Sequence, residues 1–148
     1  MESKYDSLTL KNQLCFPIYL CSKEIIRKYT PMLEKLDLTY TQYIVMMYFW
    51  QNKTSNVKEI SKTLLLDSGT LTPLLKKLEA KGYITRIRST KDERNLNVSI
   101  TEKGLKLRDK ALSIPDNMSK CINLSKEETE TLYCLIYKIL LNVLKEEK

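Results

Sequence analysis

Histidine is absent from these 148 residues, glycine occurs only three times, and there is no CxxC pair. Without histidine the commonest general base and the commonest metal ligand are both missing. The four cysteines, Cys15, Cys21, Cys121 and Cys134, are too scattered for zinc-ligand spacing, and three glycines leave no phosphate-cradling loop. Hydrolase, metalloenzyme and nucleotide-binding functions therefore have no residues to rest on, and the expectation is a protein that is not an enzyme, with no cofactor and no metal. No apolar run reaches the roughly 18 residues of a membrane span, and the opening MESKYDSLTLKNQ lacks a signal peptide's apolar stretch. A cytoplasmic protein with no membrane partner is expected. In a reducing cytosol, scattered cysteines are more often inert core residues than reactive ones. Cys15 and Cys21 are six apart and point in different directions along a helix, which argues against a disulfide between them.

What is present is a core and a concentrated charge. A hydrophobic content of 43% suffices for one domain of this length. From Lys53 to Lys110 there are 14 Lys and Arg against 7 Asp and Glu, whereas the rest of the chain has 11 of each. The entire +7 excess thus falls on one segment, as binding to a phosphate backbone by counterion release requires. A lysine-rich face that is simply solvated accounts for the charge equally well on its own.

That segment has a pattern of its own. Leu71, Leu74, Leu75 and Leu78 form one apolar stripe at helical spacing, with Lys76, Lys77 and Lys81 on other faces, and Gly82 stops the helix. Pro73 would remove a hydrogen bond inside a helix begun at Asp67 or Ser68, so the spacing predicts a regular helix from about Thr72 after an irregular first turn. Tyr83 to Arg88 alternates, with Arg86 and Arg88 along one edge, and LNVSIT at Leu96 to Thr101 pairs with it across a polar tip from Thr90 to Asn95. Upstream, Asn56 and Glu59 open a short helix to about Leu66; with a turn at Asp67 to Gly69 it completes a helix-turn-helix, and the hairpin is its wing.

The remaining segments read as helices. Thr39 and Gln42 form a capping box before YIVMMYFW, a buried support ending near Trp50. A helix from about Leu8 to Leu36 is expected to kink or break late at Pro31. Thr101 caps another, interrupted near Pro115, and Ser125 with Glu128 caps the last. The first and last helices have more apolar face than a small core can cover, which implies pairing with a second copy. Cys21 and Cys134 lie on apolar faces and are expected in the core. The fold class is mainly α with a small β-hairpin: a single domain in which residues 38–101 form the winged helix-turn-helix DNA-binding region and residues 1–37 and 102–148 supply dimerisation helices.

The segments NQLCF, LTYTQY, LDSGTLTPLLKKLE, DERN and SITEKG, in this order across nearly the whole chain, strongly resemble the MarR-type winged-helix regulators. More narrowly they are similar to the organic hydroperoxide resistance regulators and their staphylococcal redox-sensing relatives. The resemblance implies that Cys15 is the redox sensor and that its thiol is held by Tyr29 and Tyr40 of the partner subunit, with Tyr19 one turn away. A phenol hydrogen bond stabilises thiolate, the form that attacks a peroxide to give sulfenic acid. Cys121 lies close to where a resolving cysteine occurs in one sub-type; in the other, a low-molecular-weight thiol traps the sulfenic acid.

For DNA the resemblance implies that Ser68, Thr70, Thr72 and Lys76 lie on the recognition helix. Arg94 would enter the minor groove, steadied by Asp92, and Arg86 and Arg88 would meet phosphates. The expected function is a homodimeric repressor, bound to a pseudo-palindromic double-stranded operator and released when organic hydroperoxide oxidises Cys15. Three rivals are a repressor of the same type gated by a small phenolic ligand, a thiol peroxidase using Cys15 and Cys121, and a constitutive DNA-binding or architectural module indifferent to oxidant. The basic wing and the lack of a positive residue beside Cys15 weigh against the second.

Overall fold

Side chains that accept otherwise unpaired backbone N–H groups set where most of the helices begin. The computed structural model describes residues 4–88 and 96–146. Helix α1 spans Cys15–Glu34. Helix α2, Tyr40–Asn52, opens on the predicted capping box: Thr39 Oγ1 accepts from Gln42 N at 3.3 Å and Gln42 Oε1 accepts from Thr39 N at 3.1 Å. Asn56 Oδ1 accepts from Glu59 N at 2.9 Å to start α3, Val57–Leu64. Helix α4, Ser68–Ala80, is followed by α5, Glu102–Ala111, which Thr101 caps through Gly104 N at 3.0 Å. Helix α6 is Ser113–Ile122, and α7, Lys126–Glu146, starts on the Ser125–Glu128 capping box.

Among the described residues three short strands follow: β1 Thr54–Asn56, β2 Ile84–Arg88 and β3 Leu96–Ile100. They form an antiparallel sheet in the order β1-β3-β2, with Ile84 opposite Ile100, Arg88 opposite Leu96, and Thr54 opposite Ser99. The β2–β3 pair is the hairpin read from the sequence. β1 is an addition: three residues are too few to show an alternation, and Asn56 is both its last residue and the cap of α3.

The chain divides into two compact units, Met1–Ile114 and Pro115–Lys148. In the first, α2 is the central support and packs on α1, α3, α4, α5 and the sheet. Val45, Met46 and Phe49 of α2 are wholly buried, as are Ile60 of α3 and Leu71 and Leu78 of α4. Each such side chain contributes about 1.5–3 kcal/mol over an exposed one. The leucine stripe of α4 is therefore what binds the recognition helix to its support. In the second unit, α7 leaves Leu135 and Val143 more than half exposed. The start of α1 does likewise with Leu14. No helix among the described residues is long and apolar enough to cross a membrane.

Four expectations need correction. Two single 3-10 turns, at Asp6–Leu8 and Leu10–Asn12, precede α1, which starts at Cys15 and passes through Pro31 to Glu34. Helix α4 starts at Ser68 and carries Pro73 inside it. Asp67 explains this: its Oδ1 accepts from Thr70 N and its Oδ2 from the Thr70 hydroxyl, both at 2.9 Å, so the start is fixed one turn before the proline. The interruption after α5 falls at Leu112, and Pro115 sits in the first turn of α6, where a missing N–H costs nothing. Cys21 and Cys134 are exposed rather than in the core. Their apolar faces belong to helices that this single chain leaves uncovered.

The junction of α4 with the wing is held by several backbone and side-chain hydrogen bonds. Gly82 adopts φ 75°, a left-handed turn that favours glycine, and its N–H donates to Glu79 O at 2.8 Å. Thr101 donates its hydroxyl to Gly82 O at 2.7 Å and its N–H to Tyr83 O at 3.0 Å. Gly104 lies so near Tyr83 that an added Cβ would be 2.2 Å from the Tyr83 carbonyl oxygen. Its own carbonyl accepts from the Trp50 indole N–H at 2.9 Å. Beyond the turn, Arg86 gives β2 a second hold on α4, donating from Nε at 2.9 Å and Nη2 at 2.6 Å to Glu79 Oε2. Elsewhere, left-handed backbone is taken without glycine, by Asp37, Lys53, Leu65 and Asn123 among the described residues.

These contacts set two expectations for stability. Gly104→Ala forces the Tyr83 backbone away and should lower the unfolding free energy by roughly 1–3 kcal/mol in urea titrations. An unchanged midpoint would mean that the wing base yields without cost. The second concerns acid. Hydrogen bonds from Thr70 hold the Asp67 carboxyl below its usual range, and those from Arg86 do the same for Glu79. A carboxylate whose pKa is lowered by folding stabilises the native state above its unfolded pKa and loses that contribution as pH falls through the folded value. Melting temperature should therefore erode below about pH 4, and less steeply in Asp67→Asn, which keeps the cap acceptor without the charge. Parallel acid profiles for the two proteins would remove Asp67 from this account.

Candidate nucleic-acid interface and thiol site

Burying Leu71, Leu74, Leu75 and Leu78 turns the opposite surface of α4 outward. Ser68, Thr72 and Lys76 follow one another along an exposed edge at four-residue steps. Thr70 is exposed too, but both its N–H and its hydroxyl serve the Asp67 cap. The positive end of the α4 dipole lies beside Ser68, a setting that suits a phosphate oxygen. Of the two strand arginines, Arg86 is half-sheltered and occupied by Glu79, while Arg88 is exposed where β2 ends. Asp92 and Arg94 lie outside the described residues. Lys76 thus lies on the exposed edge of a helix whose other side is fixed in the core, and Arg88 is exposed at the end of β2.

The thiol site begins at the other end of the first unit. Cys15 is the first residue of α1 and is exposed. Tyr19, one turn on, is 60% exposed. The segment before them is tied down locally, with the Asn12 side-chain amide donating to Asp6 O at 2.7 Å. Further along α1, Tyr29 meets two tyrosines of α2: its ring lies 4.8 Å from Tyr40 and 6.0 Å from Tyr43, centroid to centroid. Burial, and then the neighbouring Tyr40, raise the Tyr29 phenol above its ordinary pKa, and burial does the same for Tyr43. These hydroxyls remain protonated through neutral pH and are available as hydrogen-bond donors.

Cys15 and Tyr29 are separated by fourteen residues of one continuous helix, about 21 Å along its axis. The fold brings Tyr29 to Tyr40 but does not bring Cys15 of the same chain to either. Cys121, near the end of α6, is exposed and belongs to the second unit, as does Cys134 on α7.

Three residues with a structural claim on this region went unread in the sequence: Tyr43, Trp50 and Glu79. Tyr43 and Trp50 are seven apart on α2 and make an edge-to-face pair at 6.0 Å. The signal available was that spacing, together with Trp50 being the sole tryptophan. Glu79 could have been found as the only acidic residue on a lysine-rich helix facing an arginine strand across a glycine turn.

Comparison with known proteins agrees with this geometry. The sequence profile of the family described as transcriptional regulator SarA/Rot matches residues 27–111. The organic hydroperoxide resistance transcriptional regulator of Bacillus subtilis (strain 168) is 44% identical over 140 residues, 95% of each chain. Among solved structures, reduced AbfR bound to DNA superposes with a TM-score of 0.79 at 30% identity, covering 96% of this chain and 99% of that one. A mutant MarR from E. coli complexed with operator DNA gives 0.81 at 24% identity, over 94% and 99%, and shares the fold. With a winged helix-turn-helix built on a buried α2 and a relative this similar along its whole length, the chain belongs to the SarA/Rot transcriptional regulators of the MarR-type winged-helix family.

Proposed function

We propose that this regulator is a homodimer that binds a pseudo-palindromic operator and releases it when organic hydroperoxide oxidises Cys15. The observation that carries the proposal is the arrangement at the thiol site: an exposed cysteine opening α1, and Tyr29, about 21 Å further along that helix and paired with Tyr40 of α2, out of its own reach. Two copies arranged about a two-fold axis give each thiol the other's Tyr29 and Tyr40 as donors. The exposed apolar residues of α1 and α7 supply the surface for such a dimer. The kinship with a protein named for organic hydroperoxide resistance supports peroxide as the signal.

The chemistry needs no cofactor. The Cys15 thiolate attacks the terminal oxygen of the hydroperoxide, an S–O bond forms as the O–O bond breaks, and the departing alkoxide takes a proton from solvent to leave as the alcohol. Sulfur is oxidised by two electrons to sulfenic acid and the peroxide is reduced. A second thiol, from Cys121 of the partner subunit or from a low-molecular-weight thiol, then displaces water to give a disulfide. Loss of the thiolate removes the acceptor for both phenols, and the dimer helices shift. The two recognition helices then leave the spacing of successive major grooves, about 34 Å apart. On the DNA side Ser68, Thr72 and Lys76 face the major groove, Arg88 meets the backbone, and Thr70 acts by capping the helix. Arg94, with Asp92, is assigned to the minor groove.

Cys15→Ser should bind upstream DNA like the wild type yet stay bound when cumene hydroperoxide is titrated in, as read by gel shift. Oxidant-driven release in that variant would end the proposal. A dimer-sized band on a non-reducing gel that disappears in Cys121→Ser assigns the second thiol; release without such a band assigns it to a small thiol. For the interface, Lys76→Ala or Arg88→Ala should weaken binding and lower the slope of log affinity against log salt by about one. Unaltered slopes would place both side chains off the DNA.

A further inference from the structure

The tyrosine pair and the wing base are joined by an aromatic chain whose far end is a hydrogen bond. Tyr29 touches Tyr40 and Tyr43, Tyr43 meets Trp50 edge to face at 6.0 Å, and the Trp50 indole donates to Gly104 O at 2.9 Å. Tyr43 is 3% exposed, and a close-packed interior leaves it little room to absorb a displacement of its neighbours. At the other end Gly104 has equally little slack. Its N–H is bonded to Thr101 Oγ1, its Cα faces the Tyr83 carbonyl, and Thr101 in turn holds Gly82 and Tyr83 at the exit from α4. A movement of the Trp50 ring therefore pulls on the start of α5 and on the turn that joins recognition helix to wing.

We propose that Trp50 is a positioning residue that carries the state of the Tyr29–Tyr40 pair to the wing, through Tyr43 on one side and the Gly104 carbonyl on the other. This inference rests on the redox function proposed above. In the reduced protein the phenols are occupied by thiolate, Tyr43 is fixed, and Trp50 holds Gly104 in the geometry that suits DNA. When oxidation frees the phenols, Tyr29 and Tyr40 repack, Tyr43 follows, and the bond to Gly104 is strained or lost. Such a device needs two discrete packings, and an aromatic pair has two favoured arrangements, edge-to-face as seen here and offset-stacked.

The test uses the full-length chain and its own upstream DNA. Trp50→Phe keeps an aromatic ring but removes the N–H. Sulfenic acid formation at Cys15, followed by mass spectrometry, should proceed as in the wild type, and the reduced variant, lacking the bond that holds Gly104, should bind DNA more weakly than the reduced wild type. Oxidation should then change its affinity at least about tenfold less than it changes that of the wild type. Equal release by variant and wild type overturns the coupling. A wild-type protein that keeps its DNA when Cys15 is oxidised overturns the redox function itself, and the coupling with it. If Trp50→Phe fails to bind DNA even when reduced, the fluorescence of the single tryptophan decides. A peroxide-induced change in wild-type emission that is absent from Cys15→Ser upholds the coupling, and an unresponsive spectrum overturns it.

Discussion

The near contact between Gly104 and the Tyr83 carbonyl governs the geometry of the whole DNA-facing half. Because no side chain intervenes there, α5 starts directly against the turn that ends α4, and Thr101 bonds to both residues of that turn. A side chain at position 104 would separate α5 from the turn by the width of a methyl group. Recognition helix, wing and α5 would then cease to be one piece. The same contact brings the Gly104 carbonyl to Trp50, so that α2, the buried support, holds the wing as well as the helix. With the wing so fixed at its base, Arg86 can be given over to Glu79, and the outward charge passes to Arg88.

Charge is distributed in two distinct regimes. Where the molecule is proposed to face DNA, Lys76 and Arg88 stay exposed and solvated, which preserves their full effect on a phosphate backbone and makes binding sensitive to salt. Where it is proposed to sense peroxide, the hydrogen-bonding groups are phenols rather than cations, and burial raises the pKa of the Tyr29 phenol further. A neutral donor suits a thiolate that must remain a nucleophile. It stabilises the anion in the resting state without the strong ion pairing that would blunt its attack.

What could be read from the sequence was whatever depends on near neighbours. The caps at Thr39, Asn56, Thr101 and Ser125 were legible because each is a hydrogen bond across three residues, and the leucine stripe of α4 because it repeats within two turns. Pro73 misled because a proline penalty was weighed without the competing Asp67 cap, whose two bonds to Thr70 fix the helix start. The Trp50 to Gly104 bond joins residues 54 apart, and no pattern in the chain announces it. Cys21 and Cys134 were misplaced for a related reason: an apolar helix face says that something will cover it, not that the same chain will. The pairing of Tyr29 with Tyr40 came from resemblance alone, since their spacing carries no signal before the α1–α2 turn is known.

The scarcity of glycine bears finally on how such a chain can adapt to heat. Of the five left-handed positions among the described residues, only Gly82 is filled by the residue that adopts that conformation without steric cost. Asp37, Lys53, Leu65 and Asn123 each hold a Cβ against a carbonyl, a strain on the order of 1–2 kcal/mol for an ordinary residue and less for asparagine or aspartate. Leu65 does so within the turn of the helix-turn-helix itself. A lineage moving to a warmer habitat could gain stability at Lys53 or Leu65 by single substitutions, leaving the core, the thiol and the DNA-facing edge of α4 untouched.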